Sequence, residues 1–119
     1  MRHRFTIPGK PQPKQRPRSD GRGNFYTPSA TRAYEKVVAY SARNGGVRKQ
    51  IEGPVRMKVA IYWPDRRRRD LTNAVKSIED GLNGIAYEDD SQIAELVVTK
   101  AIDRDNPRAE VVVEEAADG

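Results

Sequence analysis

Apolar and polar residues alternate most regularly over 55–63. Val55, Met57, Val59, Ile61 and Trp63 fall on one side of an extended chain, and Arg56, Lys58, Ala60 and Tyr62 on the other. A period of two predicts a strand with one buried face, ended by Pro64-Asp65. Looser alternation predicts strands at 3–7, 93–103 and 108–115, with Asp105-Asn106-Pro107 as a hairpin loop between the last two. Asn24 to Pro28 reads as a short extended piece. Two segments repeat with the helical period instead. Tyr34, Val37, Val38 and Ser41 give an apolar face to a helix over 29–44, with Thr27 as N-cap, Pro28 at the first helical position and Gly45-Gly46 as the stop. Leu71, Val75, Ile78 and Leu82 do the same for a helix over 70–83, closed by Gly84.

Prolines 8, 11, 13 and 17 exclude helix and central strand from 8–18, so this segment must be an extended arm or loop. Ser19 to Gly23 is turn-like. The order is β, loop, α, β, α, β, β. It predicts a single α+β domain over 1–119: a mixed sheet, two helices packed on one face, and a C-terminal β-hairpin.

Composition narrows the class. Hydrophobic residues make up 36% and charged residues 33%, which implies a modest core and a highly charged surface. Without cysteine, disulfides and thiolate zinc sites are excluded. The first residues are too poor in apolar side chains for a signal peptide, and no run nears the roughly 18 apolar residues of a membrane span. These features predict a cytoplasmic protein with no membrane segment. The net charge of +5 hides an asymmetry: residues 1–69 hold 18 Lys/Arg and 4 Asp/Glu, residues 70–119 hold 4 and 13. One half suits a polyanion and the other suits cations.

The second helix concentrates the candidate chemistry. Opposite its apolar side lie Asp70, Asn73, Lys76, Ser77 and Asp80. Such a face can be merely solvated, with Asp70 favoured at the N-terminus by the helix dipole. Two neighbours argue for more. Arg66-Arg67-Arg68-Arg69 stand directly before Asp70, and a short loop leads into Glu88-Asp89-Asp90, three successive acids that repel one another unless a cation is near. Hydrolysis of a phosphodiester needs an activated water and charge stabilisation on phosphate oxygens. Oxygen-ligated Mg²⁺ or Mn²⁺ supplies both, and a lysine beside it neutralises developing charge. Asp70, Asp89 or Asp90, and Lys76 are the right types. A single histidine, His3, reads as structural or exposed and gives no zinc site.

The segment Arg68-Arg69-Asp70-Leu71-Thr72-Asn73, with Lys76, Asp80, Leu82, Tyr87, Asp89-Asp90 and Gln92-Ile93, resembles the RusA-like Holliday junction resolvases of bacteria and their phages. The run Pro64 to Asp70 is similar to that family as well. Pro8-Gly9-Lys10-Pro11, Lys14-Gln15-Arg16-Pro17-Arg18 and Tyr26-Thr27-Pro28 resemble its phage-type branch, so the likeness spans about residues 5–100. It implies a homodimeric, Mg²⁺-dependent endodeoxyribonuclease that nicks opposed strands of a four-way DNA junction in recombination and repair. Two equivalent sites would meet two equivalent strands. It further implies Asp70 and Asp90 as metal ligands and catalytic groups, with Lys76 assisting. The better-known members carry aspartate where this chain has Thr72, which removes a charged ligand. Asp80, Asp89 or the Asn73 amide then completes the metal set, or activity is reduced. Reduced to nothing, the alternative is a non-catalytic junction-binding module; a ribonuclease or general nuclease is a third reading.

DNA contacts are expected from Arg66, Arg67, Arg68 and Arg69 beside the site, and from Lys10, Lys14, Arg16 and Arg18 on the arm. Phe25 and Tyr26 either stack on bases or pack beneath a loop. Trp63 is expected in the core and Tyr87 at its boundary.

Overall fold

A computed structural model describes residues 2–116; residue 1 and residues 117–119, the ends of the expected 1–119 domain, lie outside the described part. In chain order the elements are β1 (Arg2–Pro8), the short strands β2 (Arg18–Ser19) and β3 (Phe25–Tyr26), α1 (Ser29–Asn44), β4 (Val55–Trp63), α2 (Leu71–Gly81), a single 3₁₀ turn (Asp90–Gln92), β5 (Ile93–Ile102) and β6 (Arg108–Glu115). Four long strands form one mixed sheet in the order β1-β6-β4-β5, while β2 and β3 pair only with each other.

The position of β4 follows from its sequence. Val55, Met57, Val59, Ile61 and Trp63 are each at most 4% exposed. A fully buried aliphatic of this size contributes about 1.5–3 kcal/mol, so the strand gains most where both its edges are also bonded. It pairs antiparallel with β6 and parallel with β5. Parallel neighbours need a crossover, and α2 provides it. Phe5, Ile7, Ala109, Val111 and Val113 extend the same buried face across β1 and β6, and both helices contribute to that one core. The opposite face carries charges instead: Arg2–Glu114 at 3.8 Å, Glu114–Arg56 at 3.7 Å and Arg56–Glu95 at 2.6 Å cross all four strands. Among the described residues no helix is long and apolar enough to cross a membrane.

The α+β class, the mixed sheet and the pair of C-terminal strands match expectation. The hairpin needs a correction in its pairing: β5 and β6 run antiparallel, but β4 lies between them and takes both sets of hydrogen bonds. The loop 103–107 is long enough to cross one intervening strand, a gap of roughly 10 Å. Three smaller corrections concern the helices. Pro28, not Thr27, is the N-cap of α1, since its carbonyl accepts the first helical bond from Arg32 N at 3.1 Å. Val37 is 38% exposed, and Thr31 and Ala42 complete the buried face in its place. Ser77 is buried rather than on the polar side, and its hydroxyl donates to Asn73 O at 3.4 Å.

Ser77 is buried because α1 lies close against α2. A Cβ on Gly81 would meet Val38 Cβ at 2.8 Å and Glu35 O at 3.1 Å, so only glycine permits this approach.

Candidate active site

Asp70 begins the site. It is the N-cap of α2, with extended backbone (φ −82°, ψ 104°), and its Oδ1 accepts a hydrogen bond from Asn73 N at 3.1 Å. The carboxylate is therefore fixed at a helix N-terminus, where the backbone favours negative charge. Its other oxygen has no protein partner among the described residues. Thr72 and Asn73 are exposed beside it and line, with Leu71, Lys76 and Leu96, a cleft of about 500 Å³.

The turn 87–92 supplies the second acid. Tyr87 is fully buried, not at the boundary, and its hydroxyl donates to Glu79 O at 2.8 Å, which fastens the turn to α2. Burial pushes the Tyr87 phenol well above its ordinary range. Gln92 fastens the other side by donating to Ile51 O at 2.8 Å and Gly53 O at 3.0 Å. Asp89 caps the 3₁₀ turn: its Oδ2 accepts from Ser91 N at 2.9 Å, while Gln92 Oε1 accepts from Asp89 N at 3.1 Å. Those Ser91 contacts hold the Asp89 carboxyl below its usual value. With Asp89 committed to the cap, Asp90 turns towards α2 and accepts from Lys76 Nζ at 2.6 Å.

Lys76 is the centre of the cluster. Besides Asp90, its ammonium lies 3.3 Å from Asp80 Oδ1 and 4.0 Å from Glu79 Oε2. The bond to Asp90 is the main reason its pKa lies above the usual lysine value; burial opposes this, and the contact with Asp80 adds to the rise. Glu79 moves the other way from an ordinary ion-paired acid. Its pKa is raised, chiefly by burial, and Lys76 only partly offsets this.

Asp80 is claimed from a distant part of the chain. Lys14, on the proline arm, donates to its Oδ2 and lies 3.7 Å from Glu35 on α1. Lys14 N also donates to Asn73 O at 2.9 Å, and Gln15 N donates to Thr31 Oγ1 at 3.1 Å. The arm is thus docked across α1 and α2. Glu35, Lys14, Asp80, Lys76 and Asp90 form a string of alternating charge. Lys14 was expected on DNA, but its ammonium is half-buried and already engaged by two carboxylates; Lys10, Arg16 and Arg18 stay exposed.

The arginine run divides similarly. Arg69 is spent inside the protein: its guanidinium lies 2.7 Å from Asp65 and 4.8 Å from the centre of the Trp63 ring. That hydrogen bond is the leading cause that lowers the Asp65 pKa to about 2. Arg66, Arg67 and Arg68 are exposed and, with Lys100 of β5, border a second cleft of about 470 Å³.

The donor set can be tested for an ion. No group of three or more His, Cys, Asp or Glu forms a cage among the described residues. Both oxygens of Asp80 face lysines, and Asp89, like Asp70, spends one oxygen on a cap. Asp70 and Asp90 each have one oxygen without a protein partner among the described residues. Mg²⁺ takes one or two carboxylates and keeps several waters, so this donor set suits Mg²⁺ or Mn²⁺ and does not suit zinc. Sequence reasoning did not single out Glu79, Lys100 or the Lys14–Asp80 link. Glu79 was discoverable from its i+3 spacing to Lys76; the other two depend on sheet register and arm docking.

The model of the family described as "Endodeoxyribonuclease RusA" matches residues 8–114. The chain is 29% identical over 138 residues to the Bacillus subtilis protein named "Uncharacterized protein YqaN", covering 96% of each. It is 30% identical to the crossover junction endodeoxyribonuclease RusA of Escherichia coli K12, covering 93% of this chain and 92% of the relative. The protein of the same name from Enterobacteria phage 82 is 28% identical, covering 95% and 94%. With its acid–lysine cluster on α2 and a family match across nearly its whole length, the chain belongs to the RusA family of endodeoxyribonucleases.

Proposed function

We propose that this protein is a Mg²⁺-dependent, structure-selective endonuclease that resolves four-way DNA junctions by paired nicks, in recombination and repair within the cytoplasm. The observation that carries the reading is the contact of Lys76 Nζ with Asp90 at 2.6 Å, on the helix whose first residues place Asp70. Asp70 and Asp90 would hold the ion, which when bound supplies Lewis acidity and a water of lowered pKa. Lys76, kept protonated by its acid neighbours, offers a fixed positive charge to a phosphate oxygen. Arg66, Arg67, Arg68 and Lys100 hold the flanking backbone beside the site, and Lys10, Arg16 and Arg18 hold it from the arm. Thr72 and Asn73 offer neutral oxygens to the ion's remaining shell.

Two nicks on opposed strands call for two sites, hence a homodimer. The outer edge of β5 supports this: it is unpaired, and Leu96, Val97 and Ile102 on it are 40%, 41% and 46% exposed. Sedimentation velocity at micromolar concentration should find a dimer, and a monomer there counts against it.

The decisive experiment incubates the protein with an end-labelled four-way junction, a linear duplex and an RNA of equal length, at one salt concentration, with Mg²⁺, with Mn²⁺ and with EDTA. Nicked duplexes from the junction alone, abolished by EDTA, support the reading. Tight junction binding without cleavage in either metal ion supports the non-catalytic alternative, which Thr72, uncharged and exposed at the mouth of the site, favours.

A further inference from the structure

Residues 18–26 fold into a small finger that the core does not require. Its ladder holds only two residue pairs, Arg18 with Tyr26 and Ser19 with Phe25. The turn between them is nevertheless fully organised. Asp20 Oδ1 accepts from Arg22 N at 2.7 Å and from Asn24 N at 3.3 Å, and Oδ2 accepts from Asn24 Nδ2 at 3.1 Å. Ser19 Oγ accepts from Gly21 N at 3.1 Å. Gly21 and Gly23 take φ values of 81° and 87°, which other residues rarely adopt.

Ordering this turn costs backbone entropy, and a two-stranded ladder of this size is not stable by itself. No apolar burial compensates. Phe25 is 73% exposed, more than any other large apolar residue among the described residues, and Tyr26 is 51% exposed. Arg18 is paired opposite Tyr26 and lines a shallow cleft with it and Arg32. Arg16 and Arg22, also exposed, lie on the same arm and turn, and the finger's single acid, Asp20, is bound within the turn. The root of the finger is anchored: Lys14 to Asp80 and Asn73, Gln15 to Thr31. The finger is therefore held to the same helix that carries Lys76.

Flat, exposed rings on a segment rich in exposed arginines match one ligand chemistry, a nucleobase with an open π-face and charged phosphates beside it. Intact duplex hides its base faces by stacking. A branch point exposes them. We propose that Phe25 and Tyr26 form a stacking site for the unstacked bases at a DNA branch point, with Arg18 and Arg22 on the adjoining phosphates. This rests on the nuclease reading only for the choice of DNA as substrate. It adds the means by which a branch is told from a plain duplex.

The test measures binding in Ca²⁺, without turnover, to a four-way junction and to a linear duplex of the same sequence. The full-length protein is compared with the Phe25→Ala/Tyr26→Ala variant and with Phe25→Trp. A 2-aminopurine base at the branch reports stacking by its fluorescence. The double variant should lose roughly 5- to 100-fold in junction affinity, change duplex affinity by less than about 2-fold, and melt like the wild type. Phe25→Trp should retain the junction affinity and quench the 2-aminopurine. Equal losses on junction and duplex, unchanged junction affinity, or a wild type with no preference for the junction overturns the proposal. Cleavage plays no part in this readout. A wild type that prefers junctions through the finger yet never cuts them refutes the nuclease reading and leaves the stacking site standing.

Discussion

The two ends of α2 carry one aspartate each, ten residues apart on the same polar side, and the fold uses them in opposite ways. Asp70 is exposed and caps the N-terminus with one oxygen, leaving the other without a protein partner among the described residues. Asp80, near the C-terminus, is only 15% exposed at its side chain, and its two oxygens face Lys14 and Lys76. Helical spacing treats the two as equivalent. What separates them is what the rest of the chain brings: the arm's Lys14 ammonium reaches Asp80, while no cation pairs with Asp70 among the described residues. A carboxylate already shared by two ammonium groups is a poor metal ligand, since an ion of charge +2 must displace both. Under the proposed function Asp80 would position Lys76 and the arm, and Asp70 and Asp90 would be the ion's carboxylate ligands.

The comparison breaks most readily by substitution at both ends. Asp70→Asn keeps the cap acceptor but removes the charge. Cleavage should fall on the order of 10³-fold with junction affinity unchanged; gel-shift and nicking assays on one preparation check this. Asp80→Asn should cost less in cleavage, roughly 10- to 100-fold, but should also release the arm and expose the chain near Lys14 to limited proteolysis. If Asp80→Asn matches Asp70→Asn in cleavage while the arm stays protected, the two ends do not differ as described.

A smaller effect sharpens the comparison. Gly81→Ala drives a Cβ to within 2.8 Å of Val38. Overpacking of this kind costs about 1–3 kcal/mol, read as a lower midpoint in urea. Because Asp80 adjoins the contact, the arm should loosen as well, whereas the Asp70 end should keep its affinity for Mn²⁺ measured by paramagnetic relaxation. The smallest effect lies at the arginine loop. Asp65 ionises more readily in the folded chain, with its pKa lowered from the usual 3.8 to about 2, so its contribution is present above pH 4 and fades as the pH falls towards 2. The melting temperature of Asp65→Asn should sit slightly below wild type at neutral pH, and the gap should close on acidification through that window. A gap independent of pH refutes the Asp65–Arg69 account.

Much of this molecule was legible locally. The spans Val55–Trp63, Ser29–Asn44 and Arg108–Glu115 coincide with their periodic segments, because one buried face per element imposes a period of two or 3.6 on neighbouring residues. Lys76 and Asp90 were readable as candidates from residue type and from family likeness. Tyr87 was not readable as core, since its burial depends on Glu79 and on the loop before β4. Nor was the split between Arg69 and its three neighbours, because four identical residues in a row differ only in which one lies over Trp63.

By itself the sequence determined the elements, the α+β class, the basic arm and the acid–lysine face of α2, all of which follow from interactions between residues a few positions apart. Only the tertiary structure decided that β4 separates β5 from β6, that Lys14 closes on Asp80, and that Asp89 becomes a cap while Asp90 reaches Lys76. The Lys14–Asp80 contact joins residues 66 positions apart. Such partnerships are chosen by which surfaces exclude water together, and no local periodicity records that choice.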